Sequence, residues 1–146
     1  MTRKQINDFV ASAVLAINPQ MSYGRGRLSE WNSIRSNEYT SVWNETYGSD
    51  GEITELALPI DGWSLRIHVG KLDKPGSSPE EYEAIVDEAD EIAQKLVFQM
   101  NNVISGYKLA TISGFSRTPF IHRNADNVTG ILLTLTIIDP ATTSRC

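Results

Sequence analysis

The chain has 146 residues and a formal net charge of -5, with 13 basic and 18 acidic side chains; 40% of its residues are hydrophobic and 21% are charged. This size fits one compact domain, and the composition excludes a disordered chain, a collagen-like repeat and a small disulfide-rich scaffold. A protein that wraps nucleic acid over its surface would need an excess of Lys and Arg, so the negative charge also argues against that class.

The cysteine content and the hydropathy exclude further classes of protein. The only cysteine is Cys146, and one thiol without suitable neighbours forms neither an internal disulfide nor a zinc site. This usage favours a reducing compartment. No stretch approaches the roughly 18 apolar residues that a membrane-spanning helix requires, so we expect a soluble protein without a membrane partner.

The first predicted element is an amphipathic helix at residues 2–17. Thr2 is a suitable N-cap, and Asn18-Pro19 ends the helix because a residue before proline is disfavoured in the helical region. The apolar side chains recur at spacings of three and four, which places them on one face of a helix: Ile6, Phe9, Val10, Ala13, Val14 and Ile17.

The following stretch, residues 18–37, shows no period and is either a functional arm or an element that the pattern does not reveal. It combines Arg25 and Arg27 with apolar side chains that include Tyr23 and Trp31. Aromatic and arginine side chains are enriched at interface hot spots. Two hypotheses follow: the arm docks on a neighbouring subunit with its arginines against carboxylates, or it folds back on its own sheet with Trp31 in the core.

Three strands are predicted before the second helix, at residues 39–43, 53–59 and 63–69. Asp61-Gly62, between the last two, is typical of a tight hairpin turn. In the third strand the odd positions are apolar and the even ones polar. This alternation predicts a half-buried strand with His68 on its exposed side.

A long helix is predicted after residue 77. Ser78 can cap it, Pro79 fits the first helical position, and Glu81 completes a capping box. An apolar stripe then continues to Ile104, and Gly106 provides a stop. We expect the stripe to pack on the central strands through these positions: Ile85, Ile92, Leu96 and Val103 against Leu65, Ile67, Leu133 and Leu135.

The last part of the chain predicts two strands, at residues 107–115 and 128–138, joined by a loop at about 116–127. The polar tail at 140–146 is expected to fray. The order of elements predicts a single α+β domain over residues 1–146. Its antiparallel or mixed β-sheet carries the N-terminal helix and the long central helix on one face.

No pattern in the sequence points to catalysis. His68 and His122 are the only histidines, and neither has a partner at metal-ligand spacing. His122 beside Asp126 makes neither a triad nor a metal site. The sequence therefore predicts no catalytic residue, no metal and no cofactor, and leaves an enzyme only as a site completed at a subunit interface.

An acidic run occupies the first turns of the long helix. It has two interpretations: a solvated face that suits the positive end of the helix dipole, or a surface for a basic partner or for a DNA channel that must not adhere to DNA. The run contains no basic residue, and its seven carboxylates are Glu80, Glu81, Glu83, Asp87, Glu88, Asp90 and Glu91.

Two local patterns, together with the order of the predicted elements over nearly the whole chain, carry a resemblance to a known family. The first is residues 21–24 (MSYG), then Trp31-Asn32 and residues 37–43 (NEYTSVW). The second is residues 118–120 (TPF), then residues 124–130 (NADNVTG) leading into a long strand. In this order of features the chain resembles small structural proteins of the neck and tail of tailed bacteriophages, in particular tail-terminator-like and head–tail connector proteins.

The resemblance implies a non-enzymatic virion protein, made in the host cytoplasm, that forms a hexameric or dodecameric ring. Its partners would be copies of itself, adjacent neck or tail proteins, and DNA that passes through without specific binding. The alternative is a small cytoplasmic protein-binding module that uses the acidic helix face. The residues expected at inter-subunit contacts are Tyr23, Arg25, Arg27, Trp31, Arg117 and Arg123.

Overall fold

The computed structural model describes residues 2–27, 40–45, 50–53, 59–73, 76–105, 111–123 and 128–139. The elements within them are α1 (Arg3–Ile17), β1 (Ser22–Arg25), β2 (Ser41–Asn44), β3 (Asp50–Ile53), β4 (Pro59–Leu72), α2 (Pro79–Ser105), β5 (Thr111–Arg123) and β6 (Val128–Asp139). A mixed sheet with one short N-terminal helix and one long central helix confirms the predicted α+β class.

The described strands form one sheet in the order β1-β2-β4-β6-β5, and β3 pairs with β4. β1 runs parallel to β2, whereas the other pairings are antiparallel. The centre of the sheet is the β4–β6 pair, whose register is unbroken from Asp61 opposite Asp139 to Leu72 opposite Val128. Among the described strands, β1 and β5 therefore lie at the two ends of this order, and β3 forms a further edge beside β4.

Both helices begin where the sequence places their caps. The side chain of Thr2 accepts a hydrogen bond from the backbone N–H of Gln5 at 3.2 Å, and the Gln5 side chain accepts one from the Thr2 N–H at 2.8 Å. Ser78 and Glu81 form the same reciprocal pair at the start of α2. Each capping box satisfies backbone N–H groups that lack an intrahelical partner in the first turn.

The main core lies between the two helices and one face of the sheet. Along β4 and β6 the odd positions face the helices, and this explains the apolar alternation of both strands. Fully buried members of the core include Ile6, Val10, Leu65, Ile67, Leu96, Met100, Leu133 and Ile137.

The stripe of α2 differs in part from the prediction. Leu96 is fully buried as expected, but Val103 is 37% exposed. The inner line of the helix runs instead through Ala89, Ala93, Leu96, Met100 and Ile104. Ile104 continues this face four residues after Met100, whereas Val103 lies at its flank, in line with the partly buried Ile92.

The predicted hairpin turn at Asp61-Gly62 is wrong. Both residues lie inside β4, where Gly62 is opposite Asp50 of β3 on one side and Ile138 of β6 on the other. β3 accordingly lies earlier than the predicted strand, since it begins at Asp50. Pairing on both sides of β4 overrides the local preference of Asp-Gly for a turn.

Two segments predicted to be irregular contain edge strands. β1 lies within the predicted arm at 18–37, and β5 continues through the predicted loop as far as Arg123. Gly24 in β1 and Pro119 in β5 are atypical of strand interiors, but both are tolerated at sheet edges. The remaining predicted irregular segments lie outside the described residues: 28–37 with Trp31, 124–127 and 140–146. The same holds for residues 54–58 of the strand predicted at 53–59.

The backbones of β4 and β6 approach closely where Gly70 is opposite Gly130. A Cβ atom at position 130 would lie 1.9 Å from the carbonyl oxygen of Val69, and one at position 70 would lie 2.7 Å from the carbonyl oxygen of Thr129. Real Cβ atoms essentially never approach other atoms to less than 3.0 Å. Only glycine therefore fits at both positions without a shift of the central strands.

The assignment of the core can be tested at Leu96. Leu96→Ala should lower the free energy of unfolding by about 2–5 kcal/mol, because the change removes buried methyl groups and leaves a cavity. Leu15 of α1 is 64% exposed, so Leu15→Ala is a control expected to stay within about 0.5 kcal/mol of wild type. Urea unfolding followed by circular dichroism measures both variants. Equal stabilities of the two would contradict the assigned core.

Candidate functional site

Tyr23 connects the β1 edge of the sheet to the rest of the fold. Its hydroxyl donates a hydrogen bond to the side-chain oxygen of Asn7 in α1 and accepts one from Nδ2 of Asn44 in β2 at 3.4 Å. The side chain is half-buried and packs against the main core. The hydroxyl of this predicted contact residue is therefore engaged inside the chain.

Arg25 and Arg27 are both exposed at the end of β1. Between them, the N–H of Gly26 donates to the carbonyl oxygen of Asn44, and the indole Nε1 of Trp43 donates to the carbonyl oxygen of Gly26, both at 3.1 Å. Gly26 has a φ of 126°, which favours glycine. These contacts hold the segment against β2. Within the described part of the chain, neither arginine forms an ion pair.

Arg117 occupies the opposite edge, on β5. Its Nη1 lies 3.0 Å from both carboxylate oxygens of Asp90 in α2. The two side chains are about one-third exposed, at 30% and 33%. The pair attaches the acidic half of α2 to the edge strand and neutralises the charge of Arg117 within the chain.

The other predicted contact residues are less informative. Arg123 is the last residue of β5 and lies opposite Val128, but its side chain is outside the described residues, as is the whole of Trp31. The candidate residues therefore do not form one site. Tyr23, Arg25 and Arg27 lie at the β1 end of the sheet, and Arg117 and Arg123 belong to β5 at the other end.

An open groove of about 520 Å³ runs between α2 and β5. Val97 and Phe98 line it from the helix, and Ile112 and Phe115 line it from the strand. Phe98 is 65% exposed and Phe115 is 54% exposed. Sequence reasoning missed both residues. The signal available in the sequence was the position of Phe98, an apolar residue of α2 outside the buried stripe of that helix.

The carboxylates of α2 differ in their partners and in their exposure. Glu88 accepts a hydrogen bond from Nζ of Lys71 at 2.8 Å and from the Thr40 hydroxyl at 3.3 Å. Asp87 and Glu91 are exposed, and they precede Gln94 and Phe98 on one helix stripe at spacings of four, three and four. Glu91 also forms an ion pair with Lys95 of the same helix at 3.2 Å. The acidic surface therefore continues directly into the apolar groove.

His68 contradicts its predicted exposure. The strand alternation does turn it away from the helices, but that face carries a second apolar cluster formed by Trp43, Phe120 and Val128, and His68 is fully buried beside it. The ring of His68 meets that of Phe120 edge to face at 6.1 Å between centroids. The sheet is therefore covered on both faces at this point, which a single-strand pattern does not reveal.

The buried imidazole of His68 is hydrogen-bonded to a carboxylate. Nε2 of His68 lies 2.6 Å from a carboxylate oxygen of Glu45, and Nε of Arg66 lies 4.0 Å from the same oxygen. Among the described residues, no three His, Cys, Asp or Glu side chains are grouped closely enough to hold a metal ion. Glu45 thus gives the buried imidazole a hydrogen-bond partner at the sheet face opposite the helices.

Comparison with known proteins assigns no family, since neither a protein-family model nor a curated protein matches the chain. In the part of the chain that the structure describes, neither helix is long and apolar enough to cross a membrane. The function has to be inferred from the residues themselves.

The environment of Tyr23 predicts an alkaline loss of stability. Burial raises the pKa of Tyr23 from 10.0 to about 12, although the hydrogen bond from Asn44 and the charge of Arg25 act in the lowering direction. The folded protein therefore keeps a proton that the unfolded chain releases, so the free energy of unfolding should fall as the pH rises from about 10 through about 12.

Tyr23→Phe should remove the Tyr23 contribution to that fall. The measurement is the free energy of unfolding at several pH values from about 9 to about 12, with Tyr82→Phe in α2 as the matched control. The slope of Tyr23→Phe should be shallower than those of wild type and control. Three identical slopes would contradict the assigned burial of Tyr23.

Proposed function

We propose that the protein is a structural subunit of a tailed-phage virion, which assembles head to tail into a ring in the neck or tail around the DNA path. The resemblance of its two local sequence patterns to such proteins supports the proposal. The observation that carries it is the placement of complementary surfaces at the two opposite edges of one sheet.

The two edges differ in charge. The β1 end presents Arg25 and Arg27, whereas the β5 end lies beside the acidic half of α2, to which it is joined through Asp90. The strand order places these ends on opposite sides of the subunit. A surface that complements a different surface on an identical copy gives a heterologous contact, and such contacts close into a ring when the rotation between copies fits.

The charge balance supports a ring that lets DNA pass. Tight binding of a duplex needs many Lys and Arg contacts to phosphates, and the chain carries a net charge of -5. Assembly would place Arg25 and Arg27 between subunits, away from the DNA path. The further partners under this proposal are the adjacent rings of the neck or tail.

Reversing the charge of the β1 end should weaken assembly. Arg25→Glu combined with Arg27→Glu places carboxylates against the acidic half of α2 of the next copy, which is repulsive. Circular dichroism should show an unchanged fold, because both side chains are exposed. Sedimentation velocity over a concentration series should show the transition to oligomers moving to at least about tenfold higher concentration.

Two further variants serve as controls for this experiment. Lys4→Glu changes an exposed cation of α1, 83% accessible and paired with Asp8 of the same helix, and should assemble like wild type. Adding Asp87→Lys and Glu91→Lys to the double variant restores opposite charges and should recover assembly. Unchanged oligomerisation of the double variant would contradict the role of these arginines. A wild-type protein that stays monomeric would favour the binding module with an acidic helix face.

A further inference from the structure

β5 has an open edge in the described part of the chain. It pairs with β6 on one side only, and that register is unbroken from Gly114 opposite Thr136 to Phe120 opposite Gly130. All residues from 113 to 119 are exposed. Main-chain N–H and C=O groups along such an edge are a template for one more strand.

The usual protections of an edge strand are weak in β5. Edge strands are commonly short, bulged, or covered by charged side chains and proline, but β5 has 13 residues. Its register shifts lie at the two ends, at Ile112/Gly114 and Phe120/Arg123. The charge of Arg117 is held against Asp90, and Pro119 lies near the far end of the strand. Residues 114–118 therefore form a regular edge that another chain can reach.

The groove between α2 and β5 suits the side chains of an added strand. Successive side chains of a strand point to opposite faces, so alternate ones would lie on the helix side of the sheet. Phe115 is on that side, since it is opposite the core residue Leu135. Phe98 and Phe115 line the groove of about 520 Å³ there. An open edge beside a pocket for alternate side chains is the arrangement used in β-strand addition.

Charge complementarity favours a second copy of this chain as the occupant. The stripe of α2 that carries Phe98 continues into Asp87 and Glu91, while Arg25 and Arg27 lie at the other edge of the sheet. Pairing β5 with β5 of a second copy would bring two acidic helices together, and like charges oppose each other. Pairing β5 with the β1 end brings arginines to carboxylates.

We propose that the open edge of β5 and the adjacent groove bind the β1 end of a neighbouring copy, residues 22–27, by β-strand addition. This contact rests on the proposed head-to-tail assembly and specifies how one subunit holds the next. The sheet then continues across the subunit boundary, and Phe98 and Phe115 become buried there.

Hydrogen exchange of the wild-type protein tests the contact without any substitution. Peptides covering residues 112–118 and 22–27 should exchange at least about tenfold more slowly at concentrations where the protein is assembled than at dilution. Peptides covering residues 12–16 of α1, which belong to neither segment, should not change. An assembled protein in which either of the two edge segments exchanges as fast as at dilution would overturn the contact.

A pair of exposed-residue variants tests the groove independently. Phe98→Ser combined with Phe115→Ser should raise the concentration needed for assembly by at least about tenfold, because two aromatic anchors are lost. Leu15 is 64% exposed, close to the 65% of Phe98, so Leu15→Ser is the control and should assemble like wild type.

The outcomes separate this contact from the function proposed above. If wild type assembles and the double phenylalanine variant assembles equally well, the β5 contact is wrong and the ring proposal stands. A wild type that forms only closed two-subunit dimers, or remains monomeric at every concentration, overturns the head-to-tail assembly itself and the contact with it.

Discussion

The pairing of β4 with β6 is the constraint on which the rest of the structure depends. Its unbroken register places the odd-numbered side chains of both strands on the face that packs against the helices. A shift of one residue in the pairing would turn all the side chains of a strand to the opposite face. The register is further restricted at Gly70 and Gly130, where the two backbones approach too closely for any Cβ. Everything else in the sheet is added to one side or the other of this pair.

This arrangement explains why the two candidate surfaces belong to different ends of the subunit. β2 and β1 extend the sheet on the β4 side, and β5 extends it on the β6 side, beneath the acidic half of α2. Arg25 and Arg27 thus lie at one edge of the sheet, and Asp90 of α2 faces the other edge, where it binds Arg117. A row of copies would bring unlike edges together at each boundary, which is the geometric basis of the proposed ring.

The sequence predicts those features that depend on the residue pattern within a single helix or strand. The capping residues Thr2 and Ser78 placed both helices correctly, and the alternation from Trp63 to Val69 identified the central strand. Pairing partners are not encoded locally, and for this reason the sequence wrongly predicts a turn at Asp61-Gly62 and a loop over residues 116–123, the second half of β5. The burial of His68 depends on Trp43 and Phe120, far away in sequence. Of the candidate site, the exposed arginines were predictable from composition, but Phe98 and Phe115 emerge only when α2 is placed on β5.

The central claim is that identical copies join head to tail and close into a ring. Electron microscopy of the purified wild-type protein at high concentration, with two-dimensional class averages of the particles, tests this claim most directly. The account predicts annular particles with one rotational symmetry and an open centre, built from contacts between unlike edges of neighbouring subunits. Particles that are uniformly monomers, or dimers related by a two-fold axis, would contradict it.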